Sequence, residues 1–233
     1  MKAYQVVEPG KPLVCNQVKT PKPSGSEVLI RTISCCVCHS DVHFHDGGFD
    51  LGGGNMLELP VPLPYTLGHE IFGEVVDTGE DANVEIGQKY VIYPWIGCGE
   101  CATCKAGDEH YCNAPRQLGI QLPGGFADYC IVPDSKYVLD YTGIRPGLAA
   151  TYMCSGLTAF GALKKFVNIK KKPILGICLG FQLFAQESFE FGHHKGLGWI
   201  DASVERFSLE DKKIRIPHVG WNNFIKYRNN VLW

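Results

Sequence analysis

Four cysteines crowded between positions 98 and 112 constrain this chain more than any other feature of its sequence. Cys98, Cys101, Cys104 and Cys112 follow a C-x2-C-x2-C-x7-C spacing inside GCGECATCKAGDEHYC. Thiolates that close together can supply a full tetrahedral shell for zinc, and with no position left open such a site is structural. An iron–sulfur cluster uses the same ligand type and stays open as an alternative at this point. The chain holds eleven cysteines in all, an odd and unevenly spaced set. The opening MKAYQVVEPGK has no apolar run of the kind a secretory signal needs. Together these features point to metal chemistry rather than disulfides, and to a cytoplasmic protein.

Composition removes several function classes. Hydrophobic residues make up 45% of the 233 and charged residues 20%, enough for a real core. The 22 basic and 24 acidic side chains leave a net charge of -2, with none of the basic footprint of a nucleic-acid binder. Lys164, Lys165 and Lys170–Lys172 read as a solvated surface. The longest apolar stretch, Ile174–Phe184, is shorter than the ~18 residues that suggest a membrane span.

Residues 1 to about 140 read as all-β, with short runs at Lys2–Val7, Glu27–Ser34, Ile71–Asp77, Gln88–Tyr93 and Ala127–Val132 bounded by turn residues. Gly47–Pro64 reads as a long loop, and Pro146–Phe166 as a helix opened by proline. Beyond Lys170 the grammar changes to a strand, Ile174–Cys178, then a helix, Phe181–Phe191, as in an α/β domain.

A second constellation is dispersed: Cys38-His39-Ser40-Asp41, Gly68-His69-Glu70, and Cys154. Cys38, His69 and Cys154 make a Cys2His set, the pattern that leaves zinc a position for substrate. The segments CCVCHSDVH, LGHEIFGEVV, the four-cysteine lobe, GGFADYCIVP and ATYMCSGLTAFGALKK resemble the zinc-dependent medium-chain alcohol dehydrogenases over residues 1 to about 166. The resemblance implies a GroES-like β-barrel catalytic domain with a zinc lobe. It implies catalytic zinc on Cys38, His69 and Cys154 with Glu70 close by, and Asp41 orienting His69. Ser40 and His43 would relay the alcohol proton. It also implies a small-molecule alcohol or aldehyde as substrate, and NAD or NADP as hydride acceptor. Cys36 stands where the family generally has glycine.

A dinucleotide fold would announce itself by G-x-G-x-x-G between a strand and a helix. Gly52/Gly54, Gly97/Gly99 and Gly196/Gly198 each lack the third glycine, so no nicotinamide-binding motif is present. In its place Gly176-Ile177-Cys178-Leu179-Gly180 has the shape of a nucleophile elbow, although a buried structural cysteine fits those residues equally well. KKPILGICLGFQLFAQES, HHKGLGWIDASVERF and IPHVGWNNF resemble the glutaminase subunit of imidazole glycerol phosphate synthase, a class I glutamine amidotransferase of histidine biosynthesis, over about 169–233. That resemblance implies Cys178 as nucleophile, an oxyanion N–H from Leu179, and a glutamine pocket lined by Gly180 and Gln182. The family's opening strands and its triad histidine and glutamate have no counterpart. His218 lies in a P-H-V-G-W-N motif, and His193 and His194 read as exposed.

The fold class expected is therefore mainly β, followed by a truncated α/β segment. Its divisions are a catalytic domain at 1–155, a helix and junction at 156–168, and a partial amidotransferase-like segment at 169–233.

Overall fold

Strands form where β-branched and aromatic residues gather, and burial decides which become central. In the computed structural model, residues 1–52, 55–59, 62–166, 176, 179–189 and 192–205 are described. The chain divides into two units, Met1–Val167 and Asn168–Trp233.

The first unit contains strands β1 (Lys2–Val6), β2 (Val14–Gln17), β3 (Val28–Cys36), β4 (Gly48–Gly52), β5 (Asn55–Glu58), β6 (Tyr65–Thr66), β7 (Glu70–Thr78), β8 (Lys89–Ile92), β9 (Tyr129–Val132) and β10 (Val138–Leu139). Its helices are α1 (His39–Asp46), α2 (Ala102–Lys105), α3 (Pro146–Ala149) and α4 (Ser155–Phe166). An antiparallel five-stranded sheet runs β10-β8-β7-β3-β9, and a three-stranded sheet runs β2-β1-β6. An Ala3–Ala127 bridge joins the small sheet to the chain entering β9. No ring of strand pairings closes the two sheets into a continuous barrel among the described residues.

β7 is central because it can be buried on both faces. Ile71 and Val75 pack with Val28, Ile30, Ile92, Cys130 and Val132 on one side. Phe72, next in sequence, points the other way and packs with Val91, Ala149, Ala150 and Met153. Each such side chain removed from water stabilises the fold by roughly 1.5–3 kcal/mol. Met153 sits in the second cluster, which thereby anchors the turn carrying Cys154 against the back of the sheet.

Two glycines permit backbone approaches that no other residue could make. Gly68 has φ +95, and a Cβ there would lie 2.5 Å from the Phe126 ring. A Cβ on Gly124 would lie 2.2 Å from the Gly68 carbonyl. This packing fixes the turn immediately before His69.

The structure corrects three sequence-based expectations. Gly47–Pro64 is not a plain loop, since β4 and β5 pair within it as an antiparallel hairpin. β5 is exposed along its whole length, so the alternation that marks a half-buried strand is absent there. The helix expected over Pro146–Phe166 is broken by a 3-10 turn, Ala150–Met153, and by Cys154 at φ -129, ψ -75. The helix expected over Phe181–Phe191 is only one turn, α5 (Leu179–Gln182), and is followed by strand β11 (Glu187–Ser188). β12 (His194–Lys195) pairs antiparallel and β13 (Ser203–Val204) parallel with β11. The strand expected at Ile174–Cys178 lies outside the described residues except for Gly176. No helix among the described residues is long and apolar enough to cross a membrane.

The cysteine lobe is clamped to the sheet by Glu109. Its carboxylate accepts from Tyr137 Oη, from Lys136 Nζ at 2.9 Å and from Gly97 N at 3.3 Å. Burial alone would raise the Glu109 pKa, but Tyr137 and Lys136 outweigh it and lower the value. A carboxylate with a depressed pKa stabilises the fold above its unfolded pKa, and loses that contribution as pH falls through the folded one. Glu109→Gln is expected to lower stability by about 1–3 kcal/mol at neutral pH. Urea denaturation should show the gap between variant and parent narrowing as pH falls below the carboxylate range. A gap independent of pH would contradict the charge-based account.

Candidate metal centres

The lobe between β8 and β9 brings its four cysteines to one point. Cys101 Sγ lies 3.4 Å from Cys104 Sγ and 3.8 Å from Cys112 Sγ, and Cys98 Sγ lies 3.9 Å from Cys104 Sγ. Ligands about 2.3 Å from a tetrahedral zinc sit ~3.8 Å apart, which these separations approach. Backbone N–H groups converge on the sulfurs: Cys104 N on Cys101 Sγ at 3.4 Å, and Cys98 N and Ala114 N on Cys112 Sγ at 3.4 and 3.3 Å. N–H groups of Glu100 and Cys101 lower the Cys98 pKa to about 6. Amides aimed at sulfur favour thiolates, the form that binds metal, at Cys98 and Cys101, whereas burial pushes the Cys104 thiol up to about 12.

The second cluster joins distant segments. Cys38 ends the turn after β3 and caps α1, His69 precedes β7, and Cys154 occupies the break between the 3-10 turn and α4. Cys38 Sγ and Cys154 Sγ are 3.9 Å apart. Cys38, His69, Glu70 and Cys154 each present a ligand atom within 4.8 Å of the others. Asp41, only 3% exposed, holds the frame. Its Oδ1 accepts from Gly68 N at 3.1 Å and pairs with His69 Nδ1 at 3.2 Å, while Oδ2 accepts from Cys38 N at 2.9 Å.

With Nδ1 so engaged, the other ring nitrogen of His69 faces the thiols. His69 Nε2 is buried without a hydrogen-bond partner among the described residues. An orphaned imidazole nitrogen normally costs stability, and it is the atom a metal would take. Burial would lower the His69 pKa, but Asp41 and the Cys154 thiol outweigh it and raise it to about 11. The donor set, the sulfur spacing and the orphaned nitrogen all fit zinc.

The structure thus gathers Cys38, His69, Glu70 and Cys154 in one place and Cys98, Cys101, Cys104 and Cys112 in another. Ser40 Oγ lies 3.7 Å from Cys38 Sγ, and the His43 ring lies tilted against Phe49 with 4.1 Å between centroids. No hydrogen bond joins Ser40 to His43 among the described residues. Cys36 lies in extended backbone opposite Glu70, so its side chain is accommodated without strain. Cys178 and His218 lie outside the described residues. His193 Nε2 pairs with Glu187 Oε2 at 2.8 Å, and His194 is exposed in β12.

Two residues of the site carry no signal in the sequence. Ser155 donates to Glu70 Oε1 through N at 3.2 Å and Oγ at 2.8 Å, tying α4 to the cluster. Trp95 Nε1 donates to Met153 O at 2.8 Å, and its ring lies 5.8 Å from that of His69. An open cleft of about 690 Å³ runs along Trp95, Tyr93, Tyr111, Leu157 and Thr158.

A mainly β unit with two gathered ligand sets defines a class, and comparison with known proteins gives the family. The model of the alcohol dehydrogenase GroES-like domain matches residues 24–142, just over half of the chain. The chain belongs to the GroES-like alcohol dehydrogenase family. A model of class-I glutamine amidotransferases matches residues 140–232. The chain is 41% identical over 184 residues to an NAD-dependent alcohol dehydrogenase of Saccharolobus solfataricus, covering 77% of this chain and 52% of that protein. It is 34% identical over 216 residues to an NAD-dependent alcohol dehydrogenase of Sulfolobus acidocaldarius, covering 90% of this chain and 61% of that one. A cobalt- and zinc-bound thermostable alcohol dehydrogenase from Pyrobaculum aerophilum is similar in structure, with TM-score 0.62 and 29% identity over 72% of this chain and 48% of that one. The chain therefore spans between half and two thirds of the length of the two archaeal relatives matched by sequence.

Proposed function

We propose that residues 1–166 are the metal- and substrate-binding part of a zinc-dependent alcohol dehydrogenase, acting on a small alcohol or aldehyde. The observation that carries this reading is His69 Nε2, buried and unpartnered beside two thiols 3.9 Å apart. Zinc bound there would supply Lewis acidity toward an alcohol oxygen. The chain's own residues do the rest. Asp41 holds His69 in the productive tautomer, and the Ser155 hydrogen bonds hold Glu70 beside the pocket. Ser40, next to Cys38, would take the substrate proton and His43 would carry it toward solvent, through a link that the described residues alone do not supply. The apolar cleft beside Trp95 receives the substrate's carbon skeleton. All ten described free cysteines are unpaired thiols, which fits a reducing compartment such as the cytoplasm.

Hydride transfer also needs a dinucleotide held in place, and residues 155–233 contain no glycine fingerprint to hold one. The 233-residue chain alone is therefore proposed not to turn over alcohols with NAD or NADP. Cys178 is likewise proposed to be inactive toward glutamine in this 233-residue chain, because a thiol nucleophile needs a paired base and residues 179–233 hold no triad histidine motif.

Metal analysis and a cofactor assay test these statements. We expect two zinc ions per chain, one of them lost in His69→Ala. No reduced cofactor should form with primary, secondary or aromatic alcohols. A full zinc complement in His69→Ala would overturn the site, and steady turnover abolished by Cys38→Ser would overturn the incompleteness.

A further inference from the structure

The chain has eight histidines, and only His39 and His43 stand four residues apart. They lie on α1, where that spacing places two side chains on one face, one turn apart. Their ring centroids are 4.7 Å apart with planes inclined at 46°. Neither ring has a hydrogen bond among the described residues; their contacts are with each other and, for His43, with Phe49. The other histidines of the first unit are committed elsewhere. His45 bonds Asp46 and the Lys11 carbonyl at 2.7 Å, His69 bonds Asp41 at 3.2 Å, and the His110 ring lies tilted against Tyr111 at 4.0 Å.

We propose that His39 and His43 form a third cation site, separate from the two thiol clusters, for a divalent transition metal that favours imidazole, such as nickel, copper or zinc. A metal about 2.0–2.1 Å from each of two nitrogens needs those nitrogens about 3–3.5 Å apart. Rings whose centroids lie 4.7 Å apart are close enough for one nitrogen of each to reach that spacing. The scaffold is already fixed. Asp41 bonds Cys38 N at the start of the helix, Gly47 closes it with φ +85, and Phe44 packs on the Val6, Tyr65 and Leu67 cluster. The exposed His39 leaves the remaining coordination positions to water. Where His43 serves as a proton relay, a cation on its lone pair would block that role. The binding site itself does not depend on that reading.

The test uses the full chain, loaded with zinc, titrated with Ni²⁺ by calorimetry. One Ni²⁺ should bind per chain without zinc release and without thiolate-to-nickel charge-transfer absorption. His39→Gln and His43→Gln should each weaken it roughly tenfold or more. A His193→Gln, His194→Gln double variant should bind as the parent does. Absence of binding, unchanged affinity in His39→Gln, or a charge-transfer band with zinc release would each overturn the proposal.

Discussion

Serine at both Cys101 and Cys104 should cost the protein one zinc and the order of its lobe together. The lobe has almost no core of its own. α2 is four residues long, the following 3-10 turn Glu109–Tyr111 is three, and the lobe's buried positions include Cys104 and Cys112 themselves. Remove the sulfurs and what remains is the Glu109 clamp on Tyr137, Lys136 and Gly97. Structural zinc contributes an apparent ~10–16 kcal/mol to ordering small domains of this kind, far more than that clamp. Native mass spectrometry should show one zinc fewer, and hydrogen exchange should show lost protection at residues 98–112 but not in β3 or β7. The two sheets should survive, because their cores do not draw on the lobe's cysteines. A metal-free lobe that kept its amide protection would overturn this account.

The same contrast explains which parts of the molecule are legible in the sequence. The lobe is legible because its chemistry is local: four ligands of one type recur at intervals too regular for chance. The central strands are legible because β3 and β7 each carry a local cluster of β-branched and apolar residues, Val28–Ile30 in one and Ile71, Phe72, Val75 and Val76 in the other. α1 is not, because HSDVHFHD has no apolar stripe and weak intrinsic propensity. Asp41 and Gly47 hold it, and only tertiary structure shows that. The break at Cys154 is hidden by alanine- and leucine-rich flanks that favour a continuous helix. What breaks it is distant: Met153 O is held by Trp95, and Ser155 by Glu70, 85 residues away. Contacts at such separation leave no periodicity to read.

The open pocket differs from the lobe in depending on one carboxylate that is not itself a ligand, so a large single-residue effect is expected at Asp41 as well as at the ligands. Its two oxygens satisfy Cys38 N, Gly68 N and His69 Nδ1, thereby fixing two candidate ligands and the turn between them. Asp41→Asn keeps the shape but has one acceptor oxygen instead of two. Whichever way the amide turns, its NH2 faces an N–H donor, leaving at least one buried backbone donor unpaired. Each such orphan costs about 1–3 kcal/mol, and hydrogen bonds to a charged acceptor are stronger than those to a neutral one. A combined loss of roughly 2–5 kcal/mol results, unlike an exposed substitution, which stays within about ±0.5 kcal/mol. The freed imidazole can also turn, so zinc at Cys38, His69 and Cys154 should bind about 10–100-fold more weakly. Graded chelation with metal analysis reads the second effect, and urea denaturation of the chelated protein reads the first. The lobe's zinc should be untouched, which separates a local change from general unfolding. Parent-like stability and parent-like zinc retention in Asp41→Asn would show that Asp41 does not hold the pocket.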